Sequence, residues 1–149
     1  KSTENSNLFL PDQVCFPLYA SSRMITRLYQ PLLEAFEITY PQYLVLLVLW
    51  QHKKLSVTEL GSKLFLKTNT LTPLIRKMKE KKLLTKQRSN KDERTVFVSL
   101  TPKGQELQEK AKGVPKELIN SLNMSSEDLE DIRAIMWRFL DNFIDTKES

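Results

Sequence analysis

Apolar residues recur at helical spacing through the first quarter of the chain. Val14, Leu18, Ile25, Leu28/Tyr29, Leu32/Leu33 and Phe36, with Ser21/Ser22 in the same stripe, predict a helix from about Asp12 to Phe36. Pro17 fits only a first turn, so this helix can begin as late as Phe16; Pro31 predicts a kink or a break. Residues 1–11 read as a loose arm ending at Pro11. Thr39-Tyr40-Pro41-Gln42 is a helix start, with Thr at the cap and Gln three residues on. The helix that follows, Pro41 to about His52, is apolar almost all round and reads as the buried centre.

Ser56-Val57-Thr58-Glu59 is a second capping box, opening a short helix that ends near Leu64. Another helix runs from about Thr68 to Lys81, with Leu71, Leu74, Ile75 and Met78 facing inward. Leu83–Arg88 and Thr95–Leu100 read as two short strands, the second alternating Thr95, Phe97, Ser99 with Val96, Val98, Leu100. Thr101-Pro102 opens a helix to about Lys112, which Gly113 and Pro115 break or bend. Ser125-Ser126-Glu127-Asp128 starts a last helix through Phe143, striped by Leu129, Ile132, Ile135/Met136, Phe139/Leu140 and Phe143.

The order helix, helix, hairpin predicts a mainly α fold with a small β-hairpin: a winged helix-turn-helix over 54–104, within a single domain spanning 1–149. The stretches 12–38 and 113–146 carry more apolar surface than one small core needs. They read as a helical dimerisation part, against the plainer reading that they pack on each other in a monomer.

Composition narrows the chemistry. The 149 residues are 40% hydrophobic and 28% charged, with 3 Gly and 7 Pro, which is globular and helix-leaning. The net charge of +5 is a mild bias toward polyanions, so placement of the charge matters more than its sum. A lone cysteine, Cys15, excludes an internal disulfide framework and fits a reducing cytoplasm. With one His and one Cys, a Cys/His zinc site within the chain is excluded, and no metal or cofactor is expected. The most apolar run, Tyr43 to Trp50, is too short to span a bilayer, and Lys1–Asp12 lacks the apolar core of a signal peptide. A cytoplasmic protein without membrane contact is expected.

The charge is well placed for DNA. Thr68, Asn69, Thr70, Thr72, Arg76 and Lys77 are polar or basic on the second helix of the pair, the one that reads base edges in a helix-turn-helix. Lys63, Lys67, Lys77 and Lys79 suit phosphates. The hairpin adds Lys86, Arg88, Lys91 and Arg94, and Asp92, two residues before Arg94, is placed to orient its guanidinium. A solvated charged face is the bland alternative; the conjunction of capped helix, basic helix and basic hairpin argues against it.

Leu60-Gly61, Leu64, Thr70-Leu71-Thr72-Pro73-Leu74, Arg88…Asp92-Glu93-Arg94 and Leu100-Thr101-Pro102-Lys103-Gly104 resemble the MarR family of winged-helix regulators. Cys15-Phe16-Pro17-Leu18-Tyr19-Ala20-Ser21-Ser22-Arg23, with Tyr29, Pro31-Leu32-Leu33 and Ile38-Thr39-Tyr40-Pro41-Gln42-Tyr43, is similar to its organic-hydroperoxide-sensing branch. The resemblance covers nearly the whole chain. It implies a homodimeric repressor of a double-stranded palindromic operator that lets go when Cys15 is oxidised by an organic hydroperoxide. By the same resemblance Tyr19 and Tyr29 hydrogen-bond the Cys15 sulfur, Tyr40 lies at the same pocket, and Asp92 and Arg94 form the wing pair. Two places depart from the branch's pattern: Pro17, near the cysteine, and Lys67-Thr68-Asn69 at the start of the recognition helix.

The residues themselves are compatible with that role. A thiolate is the nucleophile, a helix N-terminus favours negative charge, and Tyr19 follows Cys15 by one helical turn on the same face. With no second cysteine, a sulfenic acid formed at Cys15 is left to a low-molecular-weight thiol or to further oxidation. The alternatives are a buried inert thiol with Tyr residues in packing roles, a regulator released by a small aromatic ligand, and a thiol peroxidase. No resolving cysteine, paired carboxylates or Gly-rich phosphate loop favours the enzyme. For Tyr43 packing is the better reading, and His52 reads as a helix-end residue.

Overall fold

Short polar caps start most of the helices. The computed structural model describes residues 8–145. A 3-10 turn, Leu10–Asp12, leads into α1 (Cys15–Glu34), α2 (Tyr40–His52), β1 (Lys54–Ser56), α3 (Val57–Leu64) and α4 (Thr68–Glu80). Then come β2 (Leu84–Arg88), β3 (Val96–Leu100), α5 (Pro102–Lys110), α6 (Val114–Leu122) and α7 (Ser126–Asp145). Ser56, Thr101 and Ser125 each accept, through the hydroxyl, the N–H three residues on, at 3.1 Å in every case. At α2 the cap is reciprocal: Thr39 Oγ1 accepts the Gln42 N–H, and Gln42 Oε1 accepts the Thr39 N–H. Each such bond answers an N–H that a helix start otherwise leaves open.

Several expectations are corrected. The arm read at 1–11 lies outside the described residues up to position 7, and its end is not loose, since Pro11 sits within the 3-10 turn. Pro31 does not end α1, which runs one turn further to Glu34; a proline removes a single intrahelical N–H and the surrounding turns persist. Gly113 and Pro115 separate two helices rather than merely breaking one. Pro115 falls in the first turn of α6, where its missing N–H has no intrahelical acceptor anyway. Residue 146, the end of the C-terminal part expected for dimerisation, lies outside the described residues.

The sheet has three strands, ordered β1-β3-β2 and antiparallel throughout, where two were expected. Leu55 and Lys86 flank Val98, which is fully buried. The chain divides after Val114 into two compact units. In the first, Val45, Leu46 and Leu49 of α2 lie at the centre, packed with Leu33, Leu60, Leu71, Ile75, Met78 and Leu83. In the second, α7 pairs Phe139 edge-on with Phe143 at 5.1 Å and leaves Ile132, Ile135, Trp137 and Phe143 exposed.

The hairpin is seated against α2 and α5 by a close backbone approach. The Trp50 indole N–H donates to the Gly104 carbonyl at 2.9 Å. A Cβ at Gly104 would stand 2.2 Å from the Leu83 carbonyl oxygen, closer than atoms approach. Gly104→Ala should therefore cost about 1–3 kcal/mol in overpacking and lower the urea midpoint, with Glu106→Ala, at an exposed position of the same helix, as the near-neutral control.

Candidate functional site

The helix-turn-helix is α3, its turn and α4. Phe65 makes the turn in the left-handed region (φ 57°), and the Leu66 N–H returns to the Gly61 carbonyl at 2.9 Å. Gly61 lets the elements close up, since a Cβ there would lie 2.7 Å from the Leu66 carbonyl oxygen. Leu71, Ile75 and Met78 anchor α4 in the core. That leaves Thr68, Asn69, Thr70, Thr72, Arg76 and Lys77 all exposed. At about 100° per residue, Thr68, Thr72, Arg76 and Asn69 share one arc of roughly 100°, while Thr70 and Lys77 lie on a separate flank. The Thr72 hydroxyl donates to the Thr68 carbonyl at 2.9 Å.

The wing brings a second group to the same place. Thr68 and Thr72 line a small groove, about 160 Å³, together with Thr58, Lys86 and Arg94. The wing tip is tightly wired. Ser89 Oγ accepts the Lys91 and Asp92 N–H groups, and the Arg88 guanidinium donates to the Glu93 carbonyl. Asp92 does not orient the Arg94 guanidinium, as its spacing suggested. Its carboxylate instead accepts the Arg94 backbone N–H at 3.0 Å and the Thr95 hydroxyl at 3.4 Å. Two residues is the reach of an Asx turn, so the backbone donor is met first. Among the described residues, Arg94 has no ion pair.

The other candidate group is split along α1. Cys15 is the first residue of this helix and is exposed. Tyr19, 62% exposed, sits one turn on, with the Arg23 guanidinium 5.6 Å from its ring centroid. Tyr29 lies on the same stripe as Cys15, but fourteen residues at 1.5 Å each put it about 21 Å away along the axis. Tyr29 is stacked on Tyr40 at 4.4 Å and lies 5.6 Å from Tyr43, whose ring meets Trp50 edge-on at 6.3 Å. Within one chain, then, the structure sets Tyr19 one helical turn from Cys15, with no hydrogen bond between them among the described residues, stacks Tyr29 on Tyr40, and keeps the two groups apart. Tyr43 is buried, in keeping with its packing role, and His52 is the last residue of α2.

Burial pushes the Tyr29 phenol up to about 12 from its ordinary value of 10, with Tyr40 and Tyr43 adding to the effect. Burial also raises Tyr40 and Tyr43. These hydroxyls stay protonated, and so remain donors, throughout the neutral range. Among the described residues no helix is long and apolar enough to cross a membrane, and no group of three His, Cys, Asp or Glu side chains is placed to hold a metal.

Residues 27–111 match the family described as transcriptional regulator SarA/Rot. The organic hydroperoxide resistance transcriptional regulator of Bacillus subtilis is 45% identical over 132 residues, 89% of this chain and 90% of that protein. The chain belongs to the MarR family of winged-helix transcriptional regulators, on its OhrR-like branch. Solved structures agree. Reduced AbfR bound to DNA, a protein known from Staphylococcus epidermidis, superposes with a TM-score of 0.76 at 29% identity, covering 97% of this chain and 99% of that one. Overoxidised AbfR bound to DNA gives 0.74 at 31%, covering 96% and 99%.

Against this MarR frame, three features were beyond the reach of sequence reasoning. These are the third strand, the turn of Asp92 toward backbone, and the bonds that the Lys81 ammonium donates to the Glu37 carbonyl and Gln42 Oε1. No local pattern signals any of them; each depends on a partner distant in sequence or on a choice between nearby donors.

The Tyr29 shift sets a pH window. The unfolded chain ionises this phenol from about pH 10, whereas the folded chain holds the proton to about 12, so the contribution is complete below 10 and is lost as pH rises through 12. Tyr29→Phe should unfold in urea with a midpoint that falls less steeply between pH 10 and 12 than that of the wild type.

Proposed function

We propose that this chain is a homodimeric, cytoplasmic repressor that holds a palindromic operator and releases it when an organic hydroperoxide oxidises Cys15. The observation that carries this reading is the likeness to the Bacillus subtilis regulator across 89% of the chain, in a sequence whose lone cysteine opens α1. The Bacillus subtilis relative is a transcriptional regulator, and residues 27–111 match a family of transcriptional regulators, so no turnover is assigned to Cys15.

DNA contact follows from the interface geometry. Thr68, Asn69, Thr72 and Arg76 face a major groove, with Thr70, Lys77 and Arg88 toward phosphates, and Asp92 holds the turn that presents Arg94 to a minor groove. Two copies gripping one palindrome require recognition helices about 34–36 Å apart.

Dimerisation also completes the sensing site. Val14 just before α1, Phe16 and Tyr19 within it, and Trp137 and Phe143 of α7 expose apolar surface in the single chain. Ser22 lies midway between Cys15 and Tyr29 and is preceded by Ala20 and Ser21, small residues that let two helices cross closely. An antiparallel crossing of two α1 helices at Ser22 sets Cys15 against Tyr29 of the partner subunit, and the symmetry repeats the contact. Tyr29, held protonated in its half-buried stack with Tyr40, then supplies with Tyr19 the hydrogen-bond donors at the sulfur, and Tyr40 lies at the same pocket.

The chemistry balances with one cysteine. The Cys15 thiolate attacks a peroxide oxygen; an S–O bond forms, the O–O bond breaks, and the alkoxide leaves as the alcohol after protonation. Cys15 becomes a sulfenic acid, oxidised by two electrons, and the hydroperoxide is reduced to the alcohol. A low-molecular-weight thiol then attacks the sulfenic sulfur, forming a mixed disulfide and water. The polar bulk at Cys15 is what disturbs the dimer.

The deciding experiment measures operator binding at fixed salt, with and without one equivalent of cumene hydroperoxide and a small thiol, for wild type and Cys15→Ser. Wild type should release and Cys15→Ser should stay bound. Both proteins remaining on DNA would sink the redox switch and favour release by a small aromatic ligand.

A further inference from the structure

The recognition helix is tied by one side chain to the turn that carries Tyr40. Lys81 is the C-cap residue of α4. Its ammonium donates to the Glu37 carbonyl and to Gln42 Oε1, the latter at 3.1 Å. Glu37 lies in the turn between α1 and α2 and takes a left-handed backbone (φ 56°). Gln42 is 2% exposed, and the same Oε1 accepts the Thr39 N–H at 3.1 Å, closing the cap of α2. One buried amide oxygen thus serves both the helix start at Tyr40 and the far end of the DNA-reading helix.

This junction stands next to the stacked phenols. Tyr40 is the first residue of α2, two positions before Gln42, and its ring lies 4.4 Å from Tyr29. On the other side, the α4 end is held by α5: Lys103 Nζ donates to the Lys81 carbonyl at 3.0 Å, and the Thr101 hydroxyl donates to the Lys82 carbonyl. A movement of the Tyr29–Tyr40 pair that shifts the first turn of α2 therefore meets a charge-assisted bond to the end of α4. Such bonds are stronger than neutral ones and fix geometry as well as distance.

We infer that Lys81 is a positioning residue that carries the state of the Tyr29–Tyr40 pair, through Gln42 and Glu37, to the recognition helix. The inference rests on the reading of Cys15 as the oxidised switch. Lys81 touches neither peroxide nor sulfur. It acts by making α4 follow the start of α2, so without its ammonium the site still oxidises while the DNA-reading helix no longer responds.

The test compares wild type, Lys81→Met and Lys81→Arg as full-length dimers. Three quantities are read: loss of free Cys15 thiol with cumene hydroperoxide, operator affinity when reduced, and operator affinity after oxidation. Wild type should lose affinity on oxidation by about tenfold or more, the scale of a typical coupling. Lys81→Met should oxidise at the wild-type rate and bind when reduced, yet lose less than about threefold on oxidation; Lys81→Arg, which keeps a cationic donor, should restore the response. An unchanged ratio of reduced to oxidised affinity in Lys81→Met would overturn the inference, including the case where both affinities fall by one factor, which is the mark of an ordinary cap. If Lys81→Met melts below the assay temperature, Lys81→Gln replaces it under the same criterion. A wild type that oxidises at Cys15 and stays on DNA would instead overturn the underlying reading, so the two failures are distinct.

Discussion

An α-helix of 20 residues holds its two ends apart, and the proposed sensing site depends on that constraint. Cys15 and Tyr29 share a face of α1 yet stand roughly 21 Å from each other, as any fourteen residues of α-helix do. No side-chain rotation closes such a gap. On the proposed reading, half of the sensing site is therefore offered at one end of the helix and half at the other. Two copies crossing antiparallel are the economical way to bring them together. The exposed Val14, Phe16 and Tyr19 fit that arrangement, as do the small Ala20, Ser21 and Ser22 at the midpoint.

The same economy appears around α2. Its first turn holds the Thr39–Gln42 cap, the stacked Tyr40 and the landing point of Lys81, while Trp50 near its other end bonds the Gly104 carbonyl. Its middle carries Val45, Leu46 and Leu49, all fully buried. One helix thus carries the aromatic cluster on its flank and borders the winged unit with its two ends. Interiors packed this closely do not deform continuously, so a displacement at one end is passed on as a rigid shift.

Much of this was legible in the sequence because caps and periodicity are local. Thr39, Ser56, Thr101 and Ser125 each announce a helix through a hydroxyl and a residue three positions on, and each makes that bond. The apolar spacing of Leu71, Ile75 and Met78 placed the exposed face of α4. Lys54–Ser56 was not legible: three residues have no alternation to detect, and they form a strand because β3 offers an open edge. Pro31 and Pro115 were read as interruptions because a proline's effect depends on which turn it occupies. The Lys81 bridge joins residues 39 and 44 positions apart, beyond any local pattern. The lone cysteine stands out in the sequence, but its distance from Tyr29 follows only because Cys15 is itself the first residue of the helix, ahead of Pro17.

The claim that two copies complete the sensing site is tested most directly by a crosslink between unlike chains. Wild type, which carries only Cys15, is mixed and re-equilibrated with a chain carrying Cys15→Ser and Tyr29→Cys, then treated with a short bis-maleimide that bridges two thiols a phenol's length apart. A direct disulfide needs Cα atoms within about 7 Å, closer than a phenol reaching the sulfur allows, whereas a short thiol bridge spans that gap but not the roughly 21 Å between the two positions inside one chain. The account predicts a covalent heterodimer in the mixture, absent when the Tyr29→Cys chain is treated alone. A mixture that yields only Cys15–Cys15 dimers of the wild type, or none, would contradict it.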